Sequence, residues 1–283
     1  MKKALVLEGG GLRGAYTAGV CSWLIENKID FDMHVGISSG ALFAICTGLK
    51  DIDMLHDCAT TYSVSPRNTG IQPFLLEGQP VGYDYLFHTV LPIKVNLIPE
   101  RILKIKPLIE YGVYDLKEED VLWKTQKDLS VDLKWLKAAC VLPIAGRNVK
   151  IGKKYYMDAG VRTMIPVSRA QELGAESFFV VTTKPVNFVR KDNAPLTQFL
   201  LDVLYFRHKK LLKEFRARRE VYYREMDLIK NLVDQGKAMH MRPSKDSGAK
   251  RFSATYEQVN DLYELGKADC ESQKTEILAF FKK

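Results

Sequence analysis

The sequence predicts an α/β fold, in which helices cover a parallel sheet, followed by a mainly helical C-terminal region. Strand-like and helix-like runs alternate over residues 4–49, a pattern typical of parallel strands joined by helices. Glycine-rich turns follow the first two strand-like runs. After about residue 190 the chain becomes basic and helical in its spacing. We therefore expect two regions, residues 1–190 and 191–283.

Local patterning predicts the first strands and helices. The apolar run Ala4–Leu7 is typical of a buried parallel strand, and the glycine-rich turn Gly9–Gly14 follows it. Apolar residues at helical spacing predict a helix over Ala15–Glu26. The run Phe31–Ile37 predicts the second strand, and Ala41–Leu49 predicts the helix after it.

The middle of the chain is less regular. Residues 51 to about 130 contain six prolines among polar and aromatic residues, which predicts an irregular insertion with short helices that shapes a substrate site. Regular patterns return with a strand-like run at residues 154–157, which ends at Asp158-Ala159-Gly160. Residues 177–183 form the clearest late strand-like run.

The composition is that of an ordinary soluble globular protein, with 46% hydrophobic and 27% charged residues. An excess of Lys and Arg gives a net charge of +8, which favours anionic partners. The five cysteines are scattered without a C-x-x-C pair, which indicates neither a disulfide framework nor a zinc site. The apolar run at the start is shorter than the ~7–15 residues of a secretory signal. No stretch reaches the ~18 apolar residues of a membrane span, so we expect a cytoplasmic protein.

The most informative stretch is Gly36-Ile37-Ser38-Ser39-Gly40. It reads Gly-x-Ser-x-Gly between a strand-like and a helix-like run, which is the pattern of a nucleophile elbow. Such a turn strains the serine backbone and exposes its hydroxyl group, while Gly36 and Gly40 permit close approach of the chain. The serine would also lie at a helix N-terminus, where free N–H groups favour negative charge. The pattern predicts Ser38 as a nucleophile.

The turn Gly9–Gly14 has two interpretations. It satisfies G-x-G-x-x-G between a strand and a helix, so a dinucleotide site is one of them. Asp30 and Asp32 lie near the distance expected for a ribose-binding acid, but they precede or begin the second strand rather than end it. The other interpretation is a nest of backbone N–H groups that holds the oxyanion of a tetrahedral intermediate. Because the turn and the elbow both follow parallel strands, together they favour the oxyanion hole.

A serine nucleophile needs a proton acceptor, which is usually a histidine oriented by a carboxylate. None of the five histidines occupies a recognisable late loop after a strand, so we expect each to be structural. They are His34, His56, His88, His208 and His240. Asp158 is better placed, because it follows a strand-like run and precedes a turn that could aim its side chain at the carboxyl edge of the sheet. A role in turn formation alone stays open for Asp158.

Through Gly9–Gly14, Gly36–Gly40 and the Asp158-Ala159-Gly160 turn, the chain resembles the patatin-like phospholipase family over about residues 4–185. Within that family it is most similar to bacterial patatin-like proteins that have an extra C-terminal region. The resemblance implies a three-layer α/β/α fold with a mostly parallel central sheet. It also implies a lipid acyl hydrolase of the phospholipase, lysophospholipase or esterase type, and neither a metal nor an organic cofactor.

The resemblance further implies a Ser–Asp dyad without histidine. Ser38 would attack the ester carbonyl to form an acyl-enzyme, and Asp158 would take the serine proton and later help to activate water. The oxyanion hole would come from the glycine-rich turn, at Gly9, Gly10, Gly11, Arg13 and Gly14. A solvated Asp with a pKa of ~3.9 is a poor base, so we expect burial to raise the pKa of Asp158.

One position departs from the family pattern, in which the third motif is usually Asp-Gly-Gly or Asp-Gly-Ala. Here Ala159 replaces the first glycine. If that position requires a positive φ, alanine costs on the order of 1 kcal/mol or more. A catalytically weak lipid-binding protein of the same fold therefore stays open as an alternative, and a dinucleotide-binding protein that uses Gly9–Gly14 is a further one.

The stretch Arg207–Arg224 contains eight Lys or Arg residues against two acids. It could dock on anionic lipid headgroups at the inner face of a membrane, at ~1 kcal/mol per basic residue near the surface. It could equally be a solvated helix face that helps to cover the core. No recognised nucleic-acid-binding motif accompanies the charge, so we expect no nucleic acid partner.

Overall fold

Five of the strands in the sheet are parallel in the computed structural model of the chain, which describes residues 1–282. The eight strands within these residues are β1 (Lys3–Leu7), β2 (Met33–Gly36), β3 (Leu108–Asp115), β4 (Asp120–Thr125), β5 (Val149–Ile151), β6 (Lys154–Asp158), β7 (Ser177–Val181) and β8 (Ala238–Met241). Their order across the sheet is β5-β6-β3-β2-β1-β7-β8, and β4 also pairs with β3. The run from β3 to β8 is parallel, whereas β4, β5 and β6 pair antiparallel.

The helices connect and cover these strands. Over the described residues they are α1 (Gly14–Glu26), α2 (Ser39–Gly48), α3 (Ile52–Ala59), α4 (Ile71–Glu77), α5 (Tyr83–Tyr85), α6 (Pro99–Ile102), α7 (Lys134–Cys140), α8 (Val167–Glu172), α9 (Pro195–Leu204), α10 (Lys209–Arg216), α11 (Arg218–Asp234), α12 (Tyr256–Ser272) and α13 (Lys274–Lys282). α5 continues into a π-helical segment, Leu86–Lys94. No helix in this part of the chain combines the length and the apolar character that crossing a membrane requires.

Side chains that alternate along β1 face two separate cores. Leu5 and Leu7 lie in a core with residues of α1, α2 and α12. Ala4 and Val6 lie in a second core with residues of α8 and α11. Because successive residues of a strand point to opposite faces, helices cover both faces of the sheet. The predicted three-layer α/β/α fold with a mostly parallel sheet is confirmed.

The predicted irregular insertion is too long at its C-terminal end. Residues 108–125 form β3 and β4, and β3 is a central strand of the sheet. Glu110 and Gly112 interrupt the apolar pattern of β3, which hid the strand. Both residues have partners that are close in space but distant in sequence. Arg169 Nε donates to Glu110 Oε2 at 2.7 Å, and the missing side chain of Gly112 leaves room for Ala159. The irregular part therefore ends near Pro107.

The C-terminal region adds a strand to the sheet and helices to both of its layers. β8 pairs in parallel with β7, and α12 packs against α1. The two helices approach closely, since a Cβ at Gly19 would collide with the Tyr263 carbonyl group and a Cβ at Gly266 would collide with that of Tyr16. A domain boundary near residue 190 stays a prediction.

Candidate active site

Ser38 lies in a strained turn between β2 and α2. Its backbone has φ 57° and ψ −128°, which an L-residue adopts only when its surroundings require it. Close approach of the chain fixes the turn, because a Cβ at Gly40 would lie 2.5 Å from the Leu7 carbonyl oxygen, and one at Gly36 would collide with the Gly40 carbonyl. This geometry is that of a nucleophile elbow, as the Gly-x-Ser-x-Gly pattern predicts.

Asp158 is the last residue of β6 and is fully buried. Asp158 caps the 3-10 turn Ala159–Val161 at its N-terminus. Its carboxylate oxygen Oδ1 accepts a hydrogen bond from the Gly160 N–H, 2.7 Å away. Its other oxygen, Oδ2, is buried and has no hydrogen-bond partner among residues 1–282. A buried carboxylate oxygen without a partner is costly, so this atom is a candidate for chemistry.

Burial raises the pKa of Asp158 to about 6. Ser38 and Gly160 oppose that rise, and so do the positive charges of Arg251 and Arg218. The Ser38 hydroxyl is therefore close to the carboxylate, although the two side chains do not meet hydrogen-bond geometry in this structure. Catalytic hydrogen bonds are often long before substrate binds. A carboxyl group with a pKa near 6 is a better base at neutral pH than a solvated one.

Ala159 does not have the positive φ that would make alanine unfavourable at this position. The non-glycine residues with positive φ within residues 1–282 do not include it. It is the first residue of the 3-10 turn after Asp158 and is fully buried. Alanine therefore fits this position without a left-handed conformation, and the turn still directs Asp158 to the site.

Several amides of the glycine-rich turn are engaged within the protein. The Gly9 N–H donates to the Met164 carbonyl at 3.1 Å, and the Gly10 N–H donates to Ser39 Oγ at 3.0 Å. The Gly14 N–H donates to carbonyl groups inside the turn itself. The Gly11 amide has no such acceptor among the hydrogen bonds of residues 1–282, and Gly11 has φ +58°.

The Gly11 amide thus has no acceptor within the described residues, and the Gly10 amide would lose its acceptor if Ser39 rotated. Gly9, Gly10 and Gly11 line one cavity together with Ser38 and Asp158. Arg13 and Gly14 do not line that cavity. The Arg13 guanidinium turns away and donates from Nε to the Ala249 carbonyl at 3.1 Å.

A buried ion pair lies between the end of β1 and the glycine-rich turn. Glu8 follows β1 and pairs with Lys184, and both side chains are buried. Thr183 donates to the same carboxylate from its N–H at 2.6 Å and from its hydroxyl at 2.9 Å. Burial alone would raise the pKa of Glu8, but these partners hold it below its ordinary value. The sequence did not predict this ion pair, although a lone acid directly after an apolar strand was the available signal.

The histidines lie away from Ser38. None lines the cavities beside Ser38 within the described residues. His34 Nδ1 lies 3.0 Å from the Ala44 carbonyl oxygen, and burial lowers the pKa of His34 to about 4. His240 Nε2 lies 2.9 Å from Thr182 Oγ1, and burial likewise lowers its pKa to about 4. Both contacts are structural, whereas the carboxylate of Asp158 lines a cavity together with Ser38.

Two spaces meet at Ser38. The first, which we call the apolar pocket, has a volume of about 730 Å³ including its mouth. Its lining includes Leu42, Phe43, Ala59, Val81, Leu86 and Leu142. The second, which we call the dyad cavity, is smaller, at about 240 Å³, and Asp158 and the glycine-rich turn line it. A reacting group at Ser38 would have an apolar chamber on one side and a polar cavity on the other.

The sequence did not predict two arginines from the C-terminal region that line the dyad cavity. They are Arg218, at the start of α11, and Arg251, in the loop before α12. The Arg251 carbonyl also accepts a hydrogen bond from the Leu12 N–H at 3.1 Å, which ties this loop to the glycine-rich turn. The neighbouring basic residues Arg216 and Arg219 are exposed, so only the folded structure distinguishes Arg218 from them.

The acids of the dinucleotide interpretation lie elsewhere. Asp30 and Asp32 precede β2, and Asp32 Oδ2 accepts from the Lys3 N–H at 2.7 Å at the start of β1. The glycine-rich turn follows the end of β1. Because β1 and β2 are parallel, these acids and the turn lie at opposite edges of the sheet. This arrangement does not favour a dinucleotide site.

Comparison with known proteins gives two family matches within the chain. Residues 5–76 match the model described as patatin-like phospholipase. Residues 208–282 match a model described as a domain of unknown function, DUF6363. The first match contains the glycine-rich turn and the elbow, and the second contains Arg218 and Arg251.

Individual proteins are similar over parts of the chain. Uncharacterized protein YjjU of Escherichia coli (strain K12) is 24% identical over 64% of this chain and 52% of its own length. Probable lipid hydrolase 463L of Invertebrate iridescent virus 6 is 25% identical over 59% of this chain and 63% of its own length. The chain thus covers between half and two thirds of these relatives.

A solved structure has the same fold. The crystal structure of VipD from Legionella pneumophila aligns with 96% of this chain and 66% of its own chain, at a TM-score of 0.53 and 11% identity. Together with the family match and the named lipid hydrolase, it confirms the predicted resemblance. The N-terminal end of this chain is therefore similar to patatin-like phospholipases, with residues 5–76 matching the model of that family.

Proposed function

We propose that the protein is a serine acyl-ester hydrolase that acts on lipids through a Ser38–Asp158 dyad. The observation that supports this most is the shared dyad cavity, in which a strained elbow serine lies beside a fully buried carboxylate. The pKa of Asp158, raised to about 6 by burial, suits it to accept a proton at neutral pH. The family match and the relative named as a probable lipid hydrolase support a lipid substrate.

The reaction proceeds in two halves. Ser38 Oγ attacks the carbonyl carbon of the ester, and its proton passes to Asp158. The tetrahedral intermediate collapses, the alcohol leaves with the proton from Asp158, and an acyl-enzyme remains. Asp158 then takes a proton from water, which attacks the acyl group, and returns the proton to Ser38 as the fatty acid leaves.

Backbone amides stabilise the oxyanion in both halves. Gly11 supplies a free N–H at the cavity, and Gly10 supplies a second N–H once its hydrogen bond to Ser39 is released. Such donors are effective because they are fixed before the charge develops, and loss of one typically costs ~10²–10³ in turnover. Gly9, Arg13 and Gly14 would then shape the turn rather than donate to the oxyanion.

The apolar pocket accommodates the acyl chain. Its lining is almost entirely apolar, and it opens directly at Ser38. Apolar walls of this kind favour an apolar ligand such as an acyl chain. An acyl chain in this pocket would place its ester carbonyl at Ser38, between the elbow and the glycine-rich turn.

Two exposed apolar helices would bring the protein to a lipid surface. The ends of both helices contact the same loop. Gln79, just after α4, accepts a hydrogen bond from the Arg147 N–H at 2.9 Å, and Tyr205, just after α9, donates one to Asn148 at 3.0 Å. Their exposed side chains are Ile71, Phe74, Leu75 and Leu76 on α4, and Leu196, Phe199, Leu200, Val203 and Leu204 on α9. Exposed apolar rows of this kind suit the boundary between headgroups and acyl chains.

The stretch Arg207–Arg224 would add electrostatic attraction to an anionic membrane. It is not uniformly available, since Arg216 pairs with Asp202 at 2.5 Å and Arg219 pairs with Asp192 at 3.1 Å. Arg207, Lys209, Lys213 and Arg224 remain exposed. Contact at the inner face of a membrane, from the cytoplasm, is part of this proposal.

Co-sedimentation with vesicles tests the membrane contact. We expect more protein on vesicles with anionic lipid than on neutral vesicles, and less on both when Phe74 and Phe199 are changed to Ser. Equal binding to neutral and anionic vesicles would remove the electrostatic contribution.

An activity-based probe tests the dyad. A fluorophosphonate should label Ser38, and both Ser38→Ala and Asp158→Asn should abolish labelling and the hydrolysis of a panel of esters of different chain length. Retained hydrolysis in purified Ser38→Ala protein would reject the assignment. A nucleotide that copurified with the protein would instead favour the dinucleotide interpretation, and a folded, unlabelled wild-type protein would favour a lipid-binding role.

A further inference from the structure

An open, basic cleft adjoins the dyad cavity. Its volume is about 1190 Å³, and its lining includes six basic side chains and one acid. They are Arg13, Lys184, Arg190, Lys191, Arg218, Arg251 and Asp192. Leu142, Arg218 and Arg251 line both the cleft and the dyad cavity, so the two spaces meet beside Ser38.

The nearby acids do not neutralise this cleft. Glu8 is occupied by Lys184, and Asp192 pairs with Arg219 at 3.1 Å. Within residues 1–282, none of Arg190, Arg218 and Arg251 has a carboxylate at ion-pair distance. Three guanidinium groups from separate segments therefore converge without a counter-ion.

Further acids act on the cleft only from a distance. Asp246 attracts Arg13, and Asp158 attracts Arg218 without forming an ion pair. Asp158 is itself uncharged below a pH of about 6. The cleft is consequently positive over the whole range in which the protein would work.

Arg218 is the most unusual member of this group. It is only 5% exposed, and its Nε has no hydrogen-bond partner among the described residues. Its guanidinium lies 4.6 Å from the centre of the Phe215 ring, which fixes its position but satisfies none of its hydrogen-bond donors. Burial lowers the pKa of Arg218, and repulsion from Arg251 and Arg190 adds to that effect. A buried cation without a partner is costly, and an anion in the cleft would remove this cost.

We propose that this cleft binds the phosphate group of an anionic acyl-ester substrate, with Arg218 and Arg251 as its principal ligands. The inference rests on the proposed hydrolase function and specifies its substrate class. Guanidinium groups bind phosphate oxygens through paired N–H donors, which a single ammonium group cannot match.

The arrangement of the three spaces matches such a molecule from end to end. The apolar pocket and the basic cleft share Arg251 in their linings, and Ser38 lines both the apolar pocket and the dyad cavity, so an ester carbonyl at Ser38 would have its acyl chain in the apolar pocket and its phosphate in the cleft. Both principal arginines come from residues 208–282, the segment matched by the model of unknown function. That segment would therefore supply the headgroup subsite to the patatin-like domain.

Binding to inactive protein tests the subsite independently of hydrolysis. Calorimetric titration of the Ser38→Ala protein with octyl phosphate, octanol and inorganic phosphate separates the contributions of the chain and the anion. We expect octyl phosphate to bind at least tenfold more tightly than either of the others. Adding Arg218→Gln should weaken octyl phosphate binding at least tenfold, and Arg218→Lys should weaken it less.

Lys230→Gln is the matched control, since it removes one positive charge from the exposed face of the same helix, outside the stretch Arg207–Arg224. It should leave octyl phosphate binding within twofold of the starting protein. Thermal unfolding of each variant confirms that it is folded. Octyl phosphate that binds no more tightly than octanol would overturn the proposal, as would an Arg218→Gln effect equal to that of Lys230→Gln. Inorganic phosphate that binds as tightly as octyl phosphate would point to free phosphate and also overturn it.

A matched pair of esters links the subsite to turnover. We expect wild-type protein to hydrolyse a 1-acylglycerol 3-phosphate with a kcat/KM at least tenfold above that of the 1-acylglycerol with the same chain. In Arg218→Gln that ratio should fall towards one. Octyl phosphate binding without hydrolysis of either ester would reject the proposed function but retain the anion subsite.

Discussion

The methyl group of Ala159 fills space that Gly112 leaves open on the neighbouring strand. A Cβ at Gly112 would lie 2.9 Å from the Cβ of Ala159, which is closer than two carbon atoms can approach. Gly112 belongs to β3, and Asp158 pairs with Val113 of the same strand. The small residue at 112 and the alanine at 159 thus form a complementary pair directly beside Asp158.

The first prediction follows from this pair. Ala159→Gly should not increase ester hydrolysis, because Ala159 has no positive φ to relieve. It should lower the free energy of unfolding by about 1 kcal/mol, through lost burial and a more flexible turn. Gly112→Ala should cost more and should also reduce kcat, because the collision displaces the turn that holds Asp158. Urea unfolding and steady-state kinetics check both variants, and a large gain of activity in Ala159→Gly would contradict the complementary fit.

The second prediction concerns the pH dependence of hydrolysis. Asp158 must lose its proton to act as a base, and its pKa is raised to about 6. We therefore expect kcat/KM to rise about tenfold per pH unit below that value and to level off above it. A profile of kcat/KM from pH 4 to 8 with an uncharged ester measures this limb. A limb near pH 4 would show that the carboxylate is solvated in the working enzyme.

The third prediction couples the arginines to this limb. The positive charges of Arg251 and Arg218 both lower the pKa of Asp158. Replacing either by Gln should move the acidic limb to higher pH, since less positive charge remains to favour the carboxylate. Lys230→Gln, on the exposed face of α11, should leave the limb in place. An unchanged limb in both the Arg218 and the Arg251 variant would show that these charges do not affect the pKa of Asp158.

The fourth prediction concerns stability. The folded-state pKa of Asp158 is above its ordinary value of 3.8, so the folded state favours the protonated form. The resulting loss of stability begins as the pH rises past about 4, is complete above about 6, and amounts to at most about 3 kcal/mol. Asp158→Asn should therefore abolish hydrolysis but raise the free energy of unfolding at pH 7.5 by about 1–3 kcal/mol. The gain should disappear at pH 4, and a destabilised variant at pH 7.5 would contradict the expected cost of the buried charge.

The sequence predicted the elements whose patterning is local. The strands at residues 4–7 and 154–157, the elbow at Ser38 and the turn after Asp158 all follow from short-range rules on apolar runs and glycine. β3 was missed because Glu110 and Gly112 interrupt its apolar run, and their reasons lie in Arg169 and Ala159, which are distant in sequence. Local patterns cannot show a compensation that depends on the folded neighbourhood.

The same limit applies to the site. Ser38 and Asp158 could be proposed from motifs, and their catalytic roles stay predictions until the variants are measured. Arg218 could not be found, because its sequence neighbours Arg216 and Arg219 are exposed and ion-paired while Arg218 alone is buried. The hydrogen bonds that occupy the Gly9 and Gly10 amides likewise depend on Met164 and Ser39, whose positions only the fold shows.

The close crossing of α1 and α12 limits how this protein can be cut or recombined. Each helix offers a glycine to the backbone of the other, Gly19 to Tyr263 and Gly266 to Tyr16. A fragment that ends near residue 190 would expose that notch and leave one edge of β7 without its partner strand, so we expect it to aggregate. A chimera with a C-terminal segment from a relative would need glycine at both positions, because a larger residue at either one would hold the helices apart and shift the loop that contains Arg251.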